Sequence, residues 1–289
     1  MNHVSRETYM RSKPNVIKVK DHLVSGETFK VVYDEALAYA FTQFPNGINL
    51  GAYYPKASYA SHQQKPKGVK GRLYVFAQHI MLRYKYSILK RYYSGTDLLD
   101  IGGGIGVFAH YMNNKGFDTT LIEPSATARE IAVNKGIESF QSLEDLPALK
   151  KYDILSLWHV LEHIEALNET LQKCHKLLKN NGLIVVAVPN LKSFDAQHYG
   201  PFWAALDVPR HLWHFTPKGL NQLLDENGFT LVSTYPLWFD AIYISLISET
   251  YSKNKFGVLR GIFIGLYSNF RAFFNGEYSS KIFVFKKKN

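Results

Sequence analysis

The segment LLDIGGGIGVF constrains the fold of this chain more than any other stretch of its sequence. A short apolar strand is predicted over residues 97–101, and Gly102, Gly104 and Gly106 occupy alternate positions directly after it. Because glycine has no side chain, backbone amides in such a turn can approach a ligand closely where the chain enters a helix. The segment therefore predicts a strand, a ligand-binding turn and a helix in succession.

Predicted strands and helices alternate through most of the remaining chain. The strands are expected at 119–123, 152–158, 183–188, 229–235 and 279–285, and the helices at 125–135, 164–178 and 216–227. The run 183–188 follows an Asn-Asn-Gly turn and is apolar without a break, which is typical of a strand covered on both faces. This alternation indicates an α/β fold with an open, doubly wound and mostly parallel sheet.

The first 95 residues follow a different pattern. Residues 1–60 are expected to be irregular, with strand-like pieces at 15–20 and 29–33, and 61–71 (SHQQKPKGVKG) is expected to be a flexible basic linker. A helix is predicted over 72–93, because apolar residues recur every three or four positions. They form one stripe of Leu73, Phe76, Ile80, Tyr84 and Ile88.

Two carboxylates accompany the glycine loop. Glu123 ends the next strand, 21 residues after Gly102, in the layout that lets a carboxylate accept hydrogen bonds from ribose hydroxyls. The dinucleotide fingerprint G-x-G-x-x-G fails when started at Gly102, since Val107 takes its last position, and from Gly104 it survives only in its alanine form. Asp100 would repel a pyrophosphate but suits a cationic ligand group. A dinucleotide enzyme and a ligand-free structural turn remain as alternatives.

The motif D-x-G-x-G-x-G at 100–106 resembles the signature loop of class I S-adenosylmethionine-dependent methyltransferases. The segments KYDILSLWHVLEHI, KNNGLIVVAVPN and FTPKGLNQLLDENGFTLV resemble the family's later elements in the expected order, so the likeness covers about 96–235. It is nearest to the small-molecule branch with ubiquinone-biosynthesis-like methyltransferases. The resemblance implies a Rossmann-like, seven-stranded sheet with an N-terminal extension, with 1–71 as extension and linker and 72–289 as the methyltransferase domain.

The same resemblance implies the cofactor and the residues that hold it. S-adenosylmethionine would contact Asp100, Gly102, Gly104, Gly106, Glu123, Ser142, Leu143, Trp158 and His159. Within this set Glu123 would hold the ribose, Trp158 and His159 would flank the cofactor, and the loop around 141–143 would meet the adenine. The implied activity is in-line transfer of a methyl group to an oxygen or nitrogen of a small-molecule or lipid-like acceptor.

The positions of cysteine limit which metal sites and disulfides the chain can form. Some relatives carry a cysteine-rich zinc module before the core, but residues 1–71 contain no cysteine, so a thiolate zinc site cannot form there. The single cysteine, Cys174, has no disulfide partner, which suits a reducing cytoplasm. The N-terminus lacks an apolar signal core, and no apolar run reaches the roughly 18 residues of a spanning helix.

Six of the 11 histidines lie between 159 and 214, which raises a metal site as one interpretation. His159, Glu162 and His163 match H-x-x-E-H, and on a helix the two histidines would share one face. However, the motif follows a buried strand directly, where His159 should begin a turn, and the sequence offers no third ligand. We therefore expect no metal, and expect Glu162 and His163 to bond backbone groups and brace the next helix.

The second histidine group lies in DVPRHLWHFTP, which connects a strand to the next helix and should overhang the ligand crevice. Asp207, Arg210 and Trp213 are candidates for binding the acceptor. His211 and His214 are the first candidates for the general base, and His159 is the next. In the alternative interpretation Asp207 and Arg210 pair structurally, while the histidines cap Thr216 and Pro217.

The net charge of +10 raises nucleic acid and anionic membranes as partners. Residues 56–93 hold nine Lys and Arg and no acid, and 250–289 hold eight against Glu277, whereas 97–165 is acidic. An RNA methyltransferase is the main alternative, although no RNA-binding module is recognisable. A non-catalytic binding protein is another. The stretch 259–274 suits either a basic amphipathic helix on a membrane surface or packing within its own domain.

Overall fold

The computed structural model describes residues 16–45, 47–54, 68–92 and 95–288. Its strands are β1 (Val16–Lys20), β2 (Thr28–Asp34), β3 (Tyr39–Gln43), β4 (Asp97–Ile101), β5 (Asp118–Ile122), β6 (Glu138–Phe140), β7 (Tyr152–Trp158), β8 (Leu178–Pro189), β9 (Trp213–His214), β10 (Phe229–Pro236) and β11 (Ser280–Lys287). Its α-helices are α1 (Gly68–Leu89), α2 (Val107–Asn113), α3 (Ala126–Val133), α4 (Leu167–Leu177), α5 (Phe194–Tyr199), α6 (Pro217–Glu226), α7 (Trp238–Tyr251) and α8 (Gly257–Asn275).

The main sheet has seven strands in the order β10-β11-β8-β7-β4-β5-β6. Strands β4 to β8 pair in parallel, and β11 is inserted antiparallel between β8 and β10. The predicted seven-stranded, mostly parallel sheet is confirmed. Because β4, β5, β7 and β8 run the same way, their carboxyl ends meet at one edge of the sheet, called here the carboxyl edge.

Apolar residues cover both faces of this sheet. Leu99 and Ile184 belong to one buried cluster, while their chain neighbours Leu98 and Val185 belong to another. Successive side chains of a strand point to opposite faces, so an unbroken apolar run feeds both clusters. The run at 183–188 is buried throughout, as predicted.

A second, four-stranded sheet joins the start of the chain to a distant segment. Its order is β1-β2-β3-β9, and β3 pairs antiparallel with β9 through Ala40 with His214 and Phe41 with Trp213. The strand-like pieces near 15–20 and 29–33 are confirmed as β1 and β2. Strand β3 was not predicted, and through it the extension packs directly against the histidine-rich connection.

Several boundaries differ from the prediction. Helix α1 begins at Gly68, so the last residues of the expected linker are helical, and the part of the linker before Gly68 lies outside the described residues. Phe76, expected in the buried stripe, is 63% exposed, whereas Ile88 is buried, and the side chain of Leu73 lies outside the described part of the chain. Asn181 has a φ of +62° inside β8, which makes the expected turn an irregularity within the strand. None of the helices in the described part of the chain has the length and apolar character needed to cross a bilayer.

Candidate active site at the carboxyl edge of the sheet

Three neighbouring strands deliver the sequence-predicted residues to one place. Strand β4 lies between β5 and β7, and Asp100 is level with Leu121 on one side and Ser156 on the other. The chain leaves these strands at Gly102, Glu123 and His159. The structure therefore brings the glycine loop together with Glu123 and His159 at the carboxyl edge.

The glycine loop adopts a backbone that only glycine accommodates without strain. Gly102, Gly104 and Gly106 have φ angles of +68°, +57° and +71°. A Cβ on Gly103 would lie 2.3 Å from Asp100 Oδ2, whereas a Cβ on Gly104 would meet no atom within 4 Å. The loop is closed toward the protein at Gly103 and open at Gly104, which leaves space for a ligand against the Gly104 backbone.

Asp100 is a fully buried carboxylate with one oxygen unsatisfied. Its Oδ1 accepts a hydrogen bond of 2.7 Å from the Ser156 hydroxyl, while Oδ2 has no partner among the described residues. Burial raises the pKa of Asp100 to about 7, although Ser156 and the positive charge of Lys85 act in the opposite direction. Because one of its oxygens has no partner, the ionised form of this buried carboxylate would be stabilised by a cationic ligand group.

Lys85 is a site residue that sequence reasoning missed. It lies in α1, and its Nζ is 4.0 Å from the centre of the Trp158 ring. Burial lowers the pKa of Lys85 to about 8, against the raising effects of Asp100 and Asp240. No motif surrounds this lysine, so only the folded arrangement of α1 beside β4 and β7 reveals it.

Glu123 is 5% exposed and is held by backbone amides on both sides. Its Oε2 accepts from Gly104 N at 3.0 Å and its Oε1 from Ser125 N at 2.9 Å. Each carboxylate oxygen has a further lone pair, so the group keeps acceptor capacity for a ligand. The hydrogen bond to the glycine loop fixes Glu123 as part of the same site.

Ser142 and Leu143 follow β6, the next strand along the carboxyl edge. The Ser142 hydroxyl donates to Asp145 Oδ2 at 3.0 Å and starts a short 3-10 helix, Leu143–Asp145. Leu143 packs against the buried cluster that contains Leu99 of β4 and Leu155 of β7. Their position after β6 agrees with the expected adenine loop, and their contact with adenine stays a prediction.

Trp158 ends β7, and His159 begins a turn as predicted, with a φ of +56°. Its Nε2 lies 3.2 Å from Asp240 Oδ2 and its Nδ1 lies 3.4 Å from Glu162 Oε1. Burial alone would lower the pKa of His159, but the adjacent carboxylates of Asp240 and Glu162 favour the protonated ring and raise the pKa above its ordinary value. Asp240, in the first turn of α7, is the second site residue that the sequence did not indicate.

Asp207 and Arg210 pair with each other, as the structural alternative predicts. Arg210 Nη2 donates to Asp207 Oδ1 at 2.7 Å and to Asp21 Oδ1 at 3.0 Å, and Nη1 donates to the Tyr53 carbonyl at 2.8 Å. Arg210 is 4% exposed. Since its donors are used within the protein, this guanidinium connects the N-terminal extension to the 207–210 turn. These contacts do not support the expected role in acceptor binding.

The histidines of this connection differ from one another. His214 is buried in the small sheet with Nε2 2.9 Å from Thr42 Oγ1, and burial lowers its pKa to about 3. The Nδ1 of His211 lies 2.8 Å from the Ala205 carbonyl oxygen. Neither caps the following helix, because the Thr216 hydroxyl itself accepts from Gly219 N. His211 and Trp213 instead line a small pocket with Pro189, at the end of β8.

The H-x-x-E-H segment is arranged differently from a zinc-peptidase helix. His159 turns toward Asp240, whereas His163 packs edge-on against His211 with ring centres 4.6 Å apart. His163 Nδ1 lies 2.9 Å from the Arg210 carbonyl oxygen, as expected, whereas the Glu162 carboxylate bonds no backbone group among the described residues and faces His159 Nδ1 at 3.4 Å. Ligand atoms of Glu162, His163 and His211 lie within 4.8 Å of one another, so this group is the one that could hold a metal among the described residues.

Comparisons with known proteins agree with this geometry. The profile of a family described as "Methyltransferase domain" matches residues 71–234. Ubiquinone biosynthesis O-methyltransferase of Rhodopseudomonas palustris (strain HaA2) is 32% identical over 154 residues, which are 49% of this chain and 60% of that protein. The protein of the same name from Bradyrhizobium sp. (strain ORS 278) is 30% identical over 151 residues, 48% of this chain and 60% of the relative. The match thus spans less than two thirds of these relatives.

Two solved structures share the fold. Magnesium protoporphyrin IX methyltransferase from Synechocystis PCC 6803, with bound SAH, superposes with a TM-score of 0.54 at 12% identity, covering 82% of this chain and 97% of that one. A protein described as a putative sarcosine dimethylglycine methyltransferase, from Galdieria sulphuraria, has a TM-score of 0.52 at 14% identity, and the match covers 75% of this chain and 88% of that one. At these identities the likeness shows the fold alone.

Proposed function

The chain belongs to the methyltransferase domain family, and from that premise we propose that it transfers a methyl group from S-adenosylmethionine to a small-molecule or lipid-like acceptor. The observation that carries this proposal is the pair of buried carboxylates at the glycine loop. Asp100 offers an unpartnered oxygen beside the closed side of the loop, and Glu123 is fixed to Gly104 on its open side.

These residues fit the chemical groups of this cofactor. Asp100 would pair with its ammonium, since a buried carboxylate without a cation is costly. Glu123 would accept hydrogen bonds from ribose hydroxyls, and Lys85 would face the amino-acid carboxylate. Asp100 also opposes the alternative of a dinucleotide, because its charge would repel a pyrophosphate. When bound, S-adenosylmethionine supplies an activated methyl group, and the protein supplies alignment.

We propose an oxygen as the methyl acceptor, because the curated relatives are named O-methyltransferases of ubiquinone biosynthesis. Pro189, His211 and Trp213 lie together at the end of β8, and they are our candidates for part of the acceptor site. A lipid-like acceptor would bring this protein to a membrane from the cytoplasm, the compartment that its cysteine usage favours.

A hydroxyl acceptor must lose its proton as the methyl group arrives. Of the three histidine candidates, His159 has the best geometry, since Asp240 and Glu162 orient its ring at the end of β7. We propose that the His159–Asp240 pair, acting as a unit, takes up this proton. Because the neighbouring carboxylates raise the pKa of His159, the neutral ring that accepts the proton becomes more populated as pH rises. His211 is the second candidate, whereas His214 is buried against Thr42 with a lowered pKa and serves the small sheet.

A screen with methyl-labelled S-adenosylmethionine tests this proposal. The wild-type protein is incubated with a lipid extract, an aqueous metabolite extract and total RNA, each beside an Asp100→Asn control. We expect label in a small or lipid-soluble product and none with the variant. Label in RNA alone would overturn the acceptor class, and binding of the donor without any transfer would overturn the enzymatic function.

A further inference from the structure

The helices α7 and α8 form a hairpin whose large apolar side chains face outward. On α8, Phe263, Phe270 and Phe273 are 65%, 62% and 77% exposed. The same stripe continues through Val258, Leu259, Ile262, Leu266, Tyr267 and Phe274, all of which are exposed. The side of α8 that packs inward carries mainly small residues, namely Gly261, Gly265, Ser268 and Ala272, with Ile264. The helix therefore presents its apolar surface away from its own domain.

The outward orientation of the aromatic rings is fixed by how closely the two helices pack. A Cβ added to Gly265 would lie 2.5 Å from Ile242 Cα, and one added to Gly261 would lie 3.0 Å from Leu246 Cα. No larger side chain fits at these positions, so α8 cannot rotate to bury its phenylalanines in the hairpin. An apolar patch of this kind indicates an interaction surface.

The charges beside this face select the kind of partner. The exposed charged residues of the hairpin and its connecting turn are basic, namely Lys253, Lys255, Arg260 and Arg271. The acidic residues of the two helices are engaged elsewhere, since Asp240 contacts His159 and Glu249 is buried against Tyr199 and Arg260. An apolar stripe flanked by basic residues complements an anionic lipid surface. A second copy of the chain would instead bring like charges together.

The hairpin lies at the same edge of the sheet as the candidate active site. Helix α7 starts after the carboxyl end of β10, and its first turn brings Asp240 to His159. Helix α8 leads into β11, which begins level with Pro189 at the end of β8. A membrane that covers the outer face of α8 would therefore lie next to the site.

We propose that the outer face of α8, with the basic turn before it, docks this protein onto anionic phospholipid bilayers, with α8 lying in the plane of the interface. The aromatic rings and the aliphatic side chains would enter the boundary between headgroups and acyl chains, and the lysines and arginines would contact lipid phosphates. This inference concerns a surface and does not rest on the proposed methyl transfer, which has its own readout.

Co-sedimentation with vesicles tests the proposal. Wild-type protein is mixed with vesicles of phosphatidylcholine alone, or of phosphatidylcholine with phosphatidylglycerol, and the bound fraction is measured at low and high salt. The double variant Phe263→Ser/Phe270→Ser removes two exposed rings without entering the core. Leu149→Ser is the matched control, because Leu149 is 93% exposed and precedes the opposite end of β7. Circular dichroism and S-adenosylmethionine binding verify that each variant is folded.

We expect wild type and Leu149→Ser to bind anionic vesicles in a salt-sensitive way, and the double variant to bind at least about tenfold less. The proposal is overturned if the wild type stays in the supernatant, or if the double variant binds as well as the wild type. It is also overturned if wild type is a dimer in solution that the double variant dissociates, since a second copy would then cover this face. Methyl transfer is measured on the same samples as an independent assay, and its outcome does not decide whether the protein binds membranes.

Discussion

Asp100→Asn should stabilise the protein without cofactor while impairing cofactor binding. Burial raises the pKa of Asp100 in the folded protein to about 7, from the ordinary value of 3.8 for an aspartate carboxyl in water. Stability from this group is therefore present at low pH and lost as pH rises from about 4 to 7. A shift of this size corresponds to about 4 kcal/mol as an upper value, in which the opposing effect of Lys85 is already included. Asparagine keeps an acceptor for Ser156 and removes the buried charge.

Urea unfolding of the two proteins at several pH values checks this prediction. The difference in the free energy of unfolding, variant minus wild type, should be near zero at pH 4, rise toward pH 7 and then level off. Added S-adenosylmethionine should stabilise wild type far more than the variant, because a ligand stabilises only a folded state that binds it. If the difference does not change with pH, burial does not raise the pKa of Asp100. If S-adenosylmethionine stabilises both proteins equally, Asp100 has no role in binding the cofactor.

Three further substitutions separate the roles at this edge of the protein. Glu123→Gln should weaken S-adenosylmethionine binding by about 1–3 kcal/mol in calorimetry, because the charge that strengthens its hydrogen bonds is lost; unchanged affinity would contradict its role. Asp240→Asn should lower the pKa of His159, so the rise of kcat with pH should shift to lower pH while the maximal rate falls; an unshifted profile would exclude the pair as the base. Arg210→Met should cost about 3–5 kcal/mol in urea unfolding, because Asp21 stays buried without its cationic partner, with cofactor affinity kept; a loss of turnover at normal stability would restore Arg210 to the acceptor site.

Sequence reasoning located the parts of the site that are encoded locally. Asp100 and Glu123 sit at strand ends and are tied to a glycine loop whose backbone demands glycine, so a short motif specifies their geometry. Lys85 and Asp240 could not be found in this way. They reach the site from helices before and after the core, and neither is embedded in a motif.

The histidine-rich connection shows why a polar, aromatic pattern is ambiguous. Trp213 and His214 pair with β3, about 170 residues earlier in the chain, and nothing in the local sequence indicates that pairing. Arg210 likewise finds Asp21 only after the N-terminal extension folds against the 207–210 turn. On α8 the periodicity indicated an amphipathic helix, but which side would be buried depended on the glycine contacts with α7. Local patterns predict an element, and distant contacts decide which of its faces is used.

Calorimetric titration of the wild-type protein with S-adenosylmethionine, S-adenosylhomocysteine and NAD tests the central claim most directly. The carboxylate of Asp100 and the glycine loop predict saturable binding of both sulfur compounds to one site per chain, and no heat with NAD. Binding of NAD with no response to either sulfur compound would contradict the assignment of this site to methyl transfer.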